Sequence, residues 1–259
     1  MLAPLRARAQ DARRRRPVSP DPLAVGLASE FDGVPSNRFD DIATVLRGAV
    51  FDHWVREFLD AHPGGTVVEL GAGLNTRAER LAGRGGGRVD ATWVDVDLPA
   101  VAELRRELLP GTERRLVAGS VLDEDWLDVA REMPAPYLLV SESVLTLLPE
   151  QGVQRIVFTA GSILPGATLL TDTIGRTTAS YLERSEPLSS GSLTFDWTCE
   201  DPAELQPWGL RLLESRNVAA VPDAVSRALS PAARARATAL RMTSRLRGHN
   251  LARYELLAP

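Results

Sequence analysis

The sequence predicts an α/β protein built on a doubly wound, mostly parallel sheet. From residue 63 onward, five short β-rich runs alternate with segments whose apolar residues recur at three- and four-residue spacing. A glycine turn, GAG at 71–73, sits between the first run and the first of those segments. Strand and helix alternating at this spacing is the pattern of parallel strands with helices packed over their faces. At 259 residues, 44% hydrophobic and 25% charged, the chain is long enough to bury a sizeable core.

The first element expected is a frayed basic arm over residues 1–20, which hold six arginines against one aspartate. Charge of one sign with no apolar face has nothing to dock, so the arm is expected to be disordered and dispensable for ligand binding. A helical cover follows at 21–62, where FDDIATVLRGAVFDHWVREFLDAHPGG puts Val50, Trp54 and Phe58 on one helical face.

The strands of the core, 63–259, are expected at TVVELG (66–71), RVDATWVDV (88–96), RRLVAG (114–119), YLLVSES (137–143) and ATLLTDT (167–173). The helices between them are TRAERLAG, PAVAELRRELL, DEDWLDVARE and PEQGVQRIVFTAGSIL. Asn75 or Thr76 can cap the first helix, Pro99 sits just inside the second, and Pro149 opens the fourth. Residues 175–199 are rich in serine and threonine and follow the fifth strand, where an open α/β sheet often builds its substrate pocket. Toward the end, WGLRLLESRNV and RYELLAP read as strands around a helix at about 223–246, which predicts a late antiparallel strand at the sheet edge.

Composition narrows the function classes. All 30 basic residues are arginine, which reflects GC-rich codon usage more than any activity. Outside the basic arm the chain is acidic, so nucleic acid is not an expected partner. No run approaches the ~18 apolar residues of a membrane span. A single cysteine, Cys199, and the lack of any Cys/His cluster exclude a disulfide framework and imply no metal site, in keeping with a cytoplasmic protein.

The glycine turn decides between ligands. A nicotinamide turn wants G-x-G-x-x-G, and the sixth position is Thr76. A phosphate-cradling Walker loop ends in Gly-Lys, and the chain has no lysine. What remains is a backbone that approaches its ligand closely without neutralising two phosphates. Glu69 precedes the turn and WVDVDLP places Asp95 and Asp97 at the carboxyl edge of the second strand, where an acid can hold a ribose diol. S-adenosylmethionine matches this inventory, with a diol to donate to an acid and an ammonium and a sulfonium that favour acidic surroundings.

VVELGAGLNTRAERL, TWVDVDLPAVAELRREL, GSVLDEDW and SESVLTLLPEQGV, in that order and spacing, resemble the leucine carboxyl methyltransferase superfamily and its bacterial branch of tetracenomycin-type polyketide O-methyltransferases. The resemblance covers roughly residues 35–175 and implies a class I, Rossmann-like S-adenosylmethionine-dependent O-methyltransferase with a small-molecule acceptor. It implies that Gly71 and Gly73 lie beside the methionine part of the cofactor and that Asp97 holds the ribose hydroxyls. Ser120 and Val121 would line the adenine, Glu142 would face the cofactor from the end of the fourth strand, and Arg47 would pair with the cofactor carboxylate. The chain departs from the family pattern at Asn75, usually Asp, and at Thr146 and Leu147, usually a methionine-tyrosine pair, so the acceptor does not carry over.

Methyl transfer is an in-line displacement whose acceleration comes largely from alignment. A carboxylate acceptor needs no base, whereas a phenol of pKa near ~10 benefits from one. The candidates for a base are His53 in the cover helix and Tyr181 after the fifth strand. His62 and His249 are expected as solvated caps. Arg77 would pair either with an acidic substrate or with a strand-end acid. Rival readings are a dehydrogenase, a cofactor-binding protein without turnover and a protein carboxyl methyltransferase, and homodimerisation stays open.

Overall fold

A computed structural model describes residues 2–31, 38–82, 90–111, 114–185 and 194–258. Residues 186–193 of the expected substrate segment lie outside the described residues, as do the start of the second expected strand run and the end of the first expected helix. The chain divides into two compact units. One is formed by residues 1–57, 74–89 and 218–244, the other by 58–73, 90–217 and 245–259.

The first unit is helical. Its elements are α1 (Leu2–Ala12), α2 (Pro22–Ser29), most of α3 (Arg38–Ala61), α4 (Arg77–Ala82), α9 (Asp223–Ala228) and α10 (Pro231–Arg241). The basic arm expected to be disordered is helix α1, which buries Leu5, Ala7 and Ala9. Its arginines find carboxylates: Arg6 bonds to Asp41 at 2.8 Å and Arg8 to Asp21 at 3.1 Å, and Arg8 also donates to the Leu74 carbonyl at 2.6 Å. Net charge therefore misled, because the four arginines at 13–16 are exposed beyond the helix while those inside it are paired. Asp11, also buried, accepts the N–H groups of Val18 and Ser19 and turns the chain toward α2. Asp21 then caps α2 by accepting the Ala24 N–H at 3.0 Å, with Pro22 at the first helical position.

Val50 and Trp54 of α3 are buried, as the helical spacing predicts. The polar face carries Asp52, on which two arginines of α4 converge. Arg77 Nε donates to it at 2.8 Å, and Arg80 grips it with Nε at 2.6 Å and Nη2 at 2.7 Å. Burial alone would push the Asp52 carboxyl up, but Arg80 and then Arg77 outweigh that and hold it below the ordinary carboxylate value. The single helix expected at 223–246 is interrupted at Ser230–Pro231, where the proline has no N–H to continue α9 and Ser230 caps α10.

The second unit is the sheet. Its strands are β1 (Thr66–Leu70), β2 (Thr92–Asp97), β3 (Arg115–Ala118), β4 (Tyr137–Ser141), β5 (Thr168–Ile174), β6 (Leu210–Asn217) and β7 (His249–Leu256), in the spatial order β3-β2-β1-β4-β5-β7-β6. β1 to β5 run parallel, and β7 is antiparallel to both β5 and β6. The order reverses at β1, which is flanked by β2 on one side and β4 on the other. Such a reversal is where doubly wound sheets bind ligands. Helices α5 (Pro99–Leu108), α6 (Asp125–Arg131), α7 (Glu150–Ile163) and α8 (Arg176–Ser185) belong to this unit. Val68, Val94, Val96 and Leu139 of the central strands join Trp126, Ile156 and Tyr254 in one apolar core. Each buried aliphatic side chain among them stabilises the fold by roughly 1.5–3 kcal/mol.

Candidate functional site

The loops at the carboxyl end of the parallel strands carry most of the residues expected from the sequence. After β1 the chain turns through Gly71 (φ +68°) and Gly73 (φ +51°), both left-handed. A Cβ at position 71 would also collide with the Val144 side chain, so the turn requires glycine for conformation and for space. Gly71 and Ala72 donate their N–H groups to the Val96 carbonyl at 2.8 and 3.2 Å, and Gly73 N–H donates to Asp97 Oδ2 at 2.6 Å. The other carboxylate oxygen of Asp97 accepts the Leu98 N–H at 2.8 Å.

The exits of β3 and β4 meet the same edge. Gly119 N–H donates to the Asp97 carbonyl at 2.9 Å, which sets Ser120 and Val121 beside the end of β2. Ser120 Oγ accepts the Leu122 N–H at 3.1 Å, and the carbonyl of buried Val121 accepts the Trp126 indole N–H at 3.0 Å. Glu142 leaves β4 two residues before Val144, the residue packed against Gly71. Glu69 is buried on β1 and lies in register with Asp95 on β2. Five expected positions, Gly71, Gly73, Asp97, Ser120 and Val121, thus gather with Glu69 and Glu142 along one sheet edge because the backbone of each loop is tied to its neighbour.

Asp95 does not share this duty. It is buried between Arg105 and Arg114, the latter at 2.9 Å, and Arg105 also donates to the Gly73 carbonyl. Alternation puts Asp95 and Asp97 on one face, yet their partners differ: Asp95 neutralises core arginines, while Asp97 meets backbone N–H groups.

Other expectations fare differently. Arg47 is buried on α3, in the helical unit. Arg77 belongs to that unit as well and is committed to Asp52, which excludes the substrate role considered from sequence. His53 faces Glu57 one turn on, at 3.4 Å. Tyr181 lies under the Arg245 guanidinium, 5.2 Å from the ring centroid. His62 is exposed and packs beside Phe58. His249, expected as a solvated cap, is instead buried at the start of β7, because that strand begins earlier than its apolar pattern suggests.

A buried polar group around His249 escaped the sequence reading. Asp172 of β5 receives the Ser143 N–H at 2.7 Å and the Ser143 hydroxyl at 3.1 Å, and its Oδ2 lies 3.1 Å from His249 Nε2. The available signal was the acid embedded in the apolar run ATLLTDTI. Among the described residues no group of His, Cys, Asp and Glu could hold a metal ion, and no helix is long and apolar enough to cross a membrane.

Comparison with known proteins identifies the family. The family model for leucine carboxyl methyltransferase matches residues 1–159. The chain is 34% identical over 224 residues to the tetracenomycin polyketide synthesis O-methyltransferase TcmP of Streptomyces glaucescens, covering 83% of this chain and 80% of that protein.

The chain belongs to the leucine carboxyl methyltransferase family.

It is an S-adenosylmethionine-dependent methyltransferase. A second member, the S-adenosyl-L-methionine-dependent methyltransferase dpfgK of Gibberella zeae, is 29% identical over 80% of this chain and 76% of its own. In fold, a Thermobifida fusca crystal structure assigned as a methyltransferase aligns with 98% of this chain and 94% of its own at a TM-score of 0.60 and 19% identity. The donor chemistry at the sheet edge fits the family's cofactor. Glu69, Asp97 and Glu142 suit a ligand bearing an ammonium, a sulfonium and a diol. The Asp97 carboxylate has roughly four lone-pair positions, and the two backbone N–H groups leave the others for hydroxyl donors.

Proposed function

We propose that the chain transfers the cofactor's methyl group to an oxygen of a small secondary metabolite, a polyketide phenol or a carboxylic acid. The observation that carries this reading is the 34% identity to TcmP, which extends over 83% of the chain. The bound cofactor supplies an electrophilic methyl on a sulfonium. In this reading Asp97 holds the ribose hydroxyls, Ser120 and Val121 flank the adenine, Glu69 and the Gly71–Gly73 turn border the methionine part, and Glu142 faces the cofactor from β4.

The residues of this chain act chiefly by alignment and by excluding water, effects that reach roughly 7–11 kcal/mol in favourable systems. Incubating the purified protein with cofactor labelled in the methyl group and a panel of phenols and carboxylic acids tests the proposal. Label in a small molecule supports it. Label found only on protein would assign the chain to protein carboxyl methylation.

A further inference from the structure

Ser143 is the non-glycine residue with positive φ among the described residues, at +58°. A left-handed conformation brings Cβ close to the following carbonyl, so a serine holds it only where its surroundings impose it. The surroundings are identifiable. One oxygen of Asp172 takes the Ser143 N–H at 2.7 Å and the other takes its hydroxyl at 3.1 Å, so both polar groups of the strained residue are clamped to one carboxylate. Asp172 is itself only 2% exposed, on a central stretch of β5, and His249 Nε2 reaches it at 3.1 Å from β7. The clamp thus ties the loop that leaves β4 to β5 and β7, the next two strands of the sheet.

The strain sits between two residues of the cofactor edge. Glu142 precedes Ser143, and Val144, whose side chain closes on Gly71, follows it. Extended backbone at 143 would swing one of these away from the glycine turn. We infer that Asp172, held by His249, is a positioning residue that locks Ser143 in its left-handed conformation and thereby fixes Glu142 and Val144 at the cofactor. The inference rests on the reading that Glu142 faces S-adenosylmethionine. It assigns a reason to a buried acid and a buried histidine that the chemistry of methyl transfer does not otherwise use. Ser143 is the weak point of the device by design of its geometry, since glycine there would need no clamp.

The test is a titration of S-adenosylhomocysteine into a series at position 143, each protein also melted without ligand. Ser143→Gly should bind within about twofold of the parent, and Ser143→Val, whose branched Cβ resists positive φ, should bind about tenfold or more weakly. Asp172→Asn should lose about tenfold in affinity in the parent, and that loss should shrink to about twofold when Ser143→Gly is present, because glycine makes the lock redundant. A merely structural role would move the melting temperature of Asp172→Asn equally in both backgrounds and leave no such rescue. Equal affinity across the 143 series, or an undiminished Asp172→Asn loss in the glycine background, would overturn the inference. If Asp172→Asn does not fold, the 143 series decides alone. A parent protein that binds no S-adenosylhomocysteine would instead defeat the cofactor reading itself.

Discussion

The Asp97 carboxylate accepts the Gly73 N–H at 2.6 Å, so the acid at the end of β2 also shapes the turn at the end of β1. One residue therefore organises the glycine backbone and keeps acceptor capacity for a ligand. The neighbouring acid makes the contrast.

Asp95 is buried against Arg105 and Arg114. Removing one partner of a buried ion pair strands the other charge, at a cost of roughly 3–5 kcal/mol. Asp95→Ala should therefore lower the urea midpoint sharply, whereas Asp97→Ala, at the half-buried end of β2, should lower it much less. Similar midpoints for the two variants would refute this division of labour.

In the helical unit, Asp52 offers a pH signature. Its carboxyl lies below the ordinary value because Arg80 and Arg77 overcome the effect of burial. A depressed carboxylate contributes stability that is fully present above its unfolded pKa of ~3.9 and is lost as pH falls through the folded value. Asp52→Asn should be strongly destabilised at pH 7, and its deficit relative to the parent should narrow as unfolding is measured at progressively lower pH below about 4. A deficit that stays constant with pH would show that packing, not charge, carries the contribution.

The N-terminal helix should matter to stability. Leu5 is buried, and Arg8 joins Asp21 and the Leu74 carbonyl. Deleting residues 1–16 should cost at least the ~1.5–3 kcal/mol of one buried leucine, visible as a lower calorimetric midpoint. An unchanged midpoint would return these residues to the status of a loose arm.

Cys199 should be inert in the folded protein. Burial first, and then the negative charge of Glu204, push its thiol up to about 12. Only the thiolate is nucleophilic. At pH 8, iodoacetamide should leave the native protein unlabelled and react readily once urea unfolds it. Rapid alkylation of the native state would contradict the observed burial.

The sheet was legible in the sequence because parallel strands buried on both faces write continuous β-rich runs, and TVVEL and YLLVS are such runs. The glycine turn and the place of Asp97 at the end of β2 were legible because both are local to a short motif. What escaped depended on partners distant in the chain. Nothing near Arg8 announces Leu74, 66 residues on, and nothing near Asp172 announces His249, 77 residues on. Helix α1 was hidden by its arginines, whose charge reads as solvated until the carboxylates that meet them are known. The break at Ser230–Pro231 was readable locally, since a serine before a proline is a helix start, but the alanine-rich pattern on both sides masked it.

The proposal that Asp97 holds the cofactor's ribose is tested most directly by cofactor affinity. Isothermal titration of S-adenosylhomocysteine should show micromolar binding to the parent, with no binding of NAD. Loss of two charge-assisted hydrogen bonds, each roughly 1.5–3 kcal/mol, and partial replacement by water predict a net loss of about 2–4 kcal/mol for Asp97→Ala. That corresponds to roughly 30- to 1000-fold weaker binding. Near-parental affinity in a folded Asp97→Ala protein, or a parent that binds NAD in place of S-adenosylhomocysteine, would contradict the account.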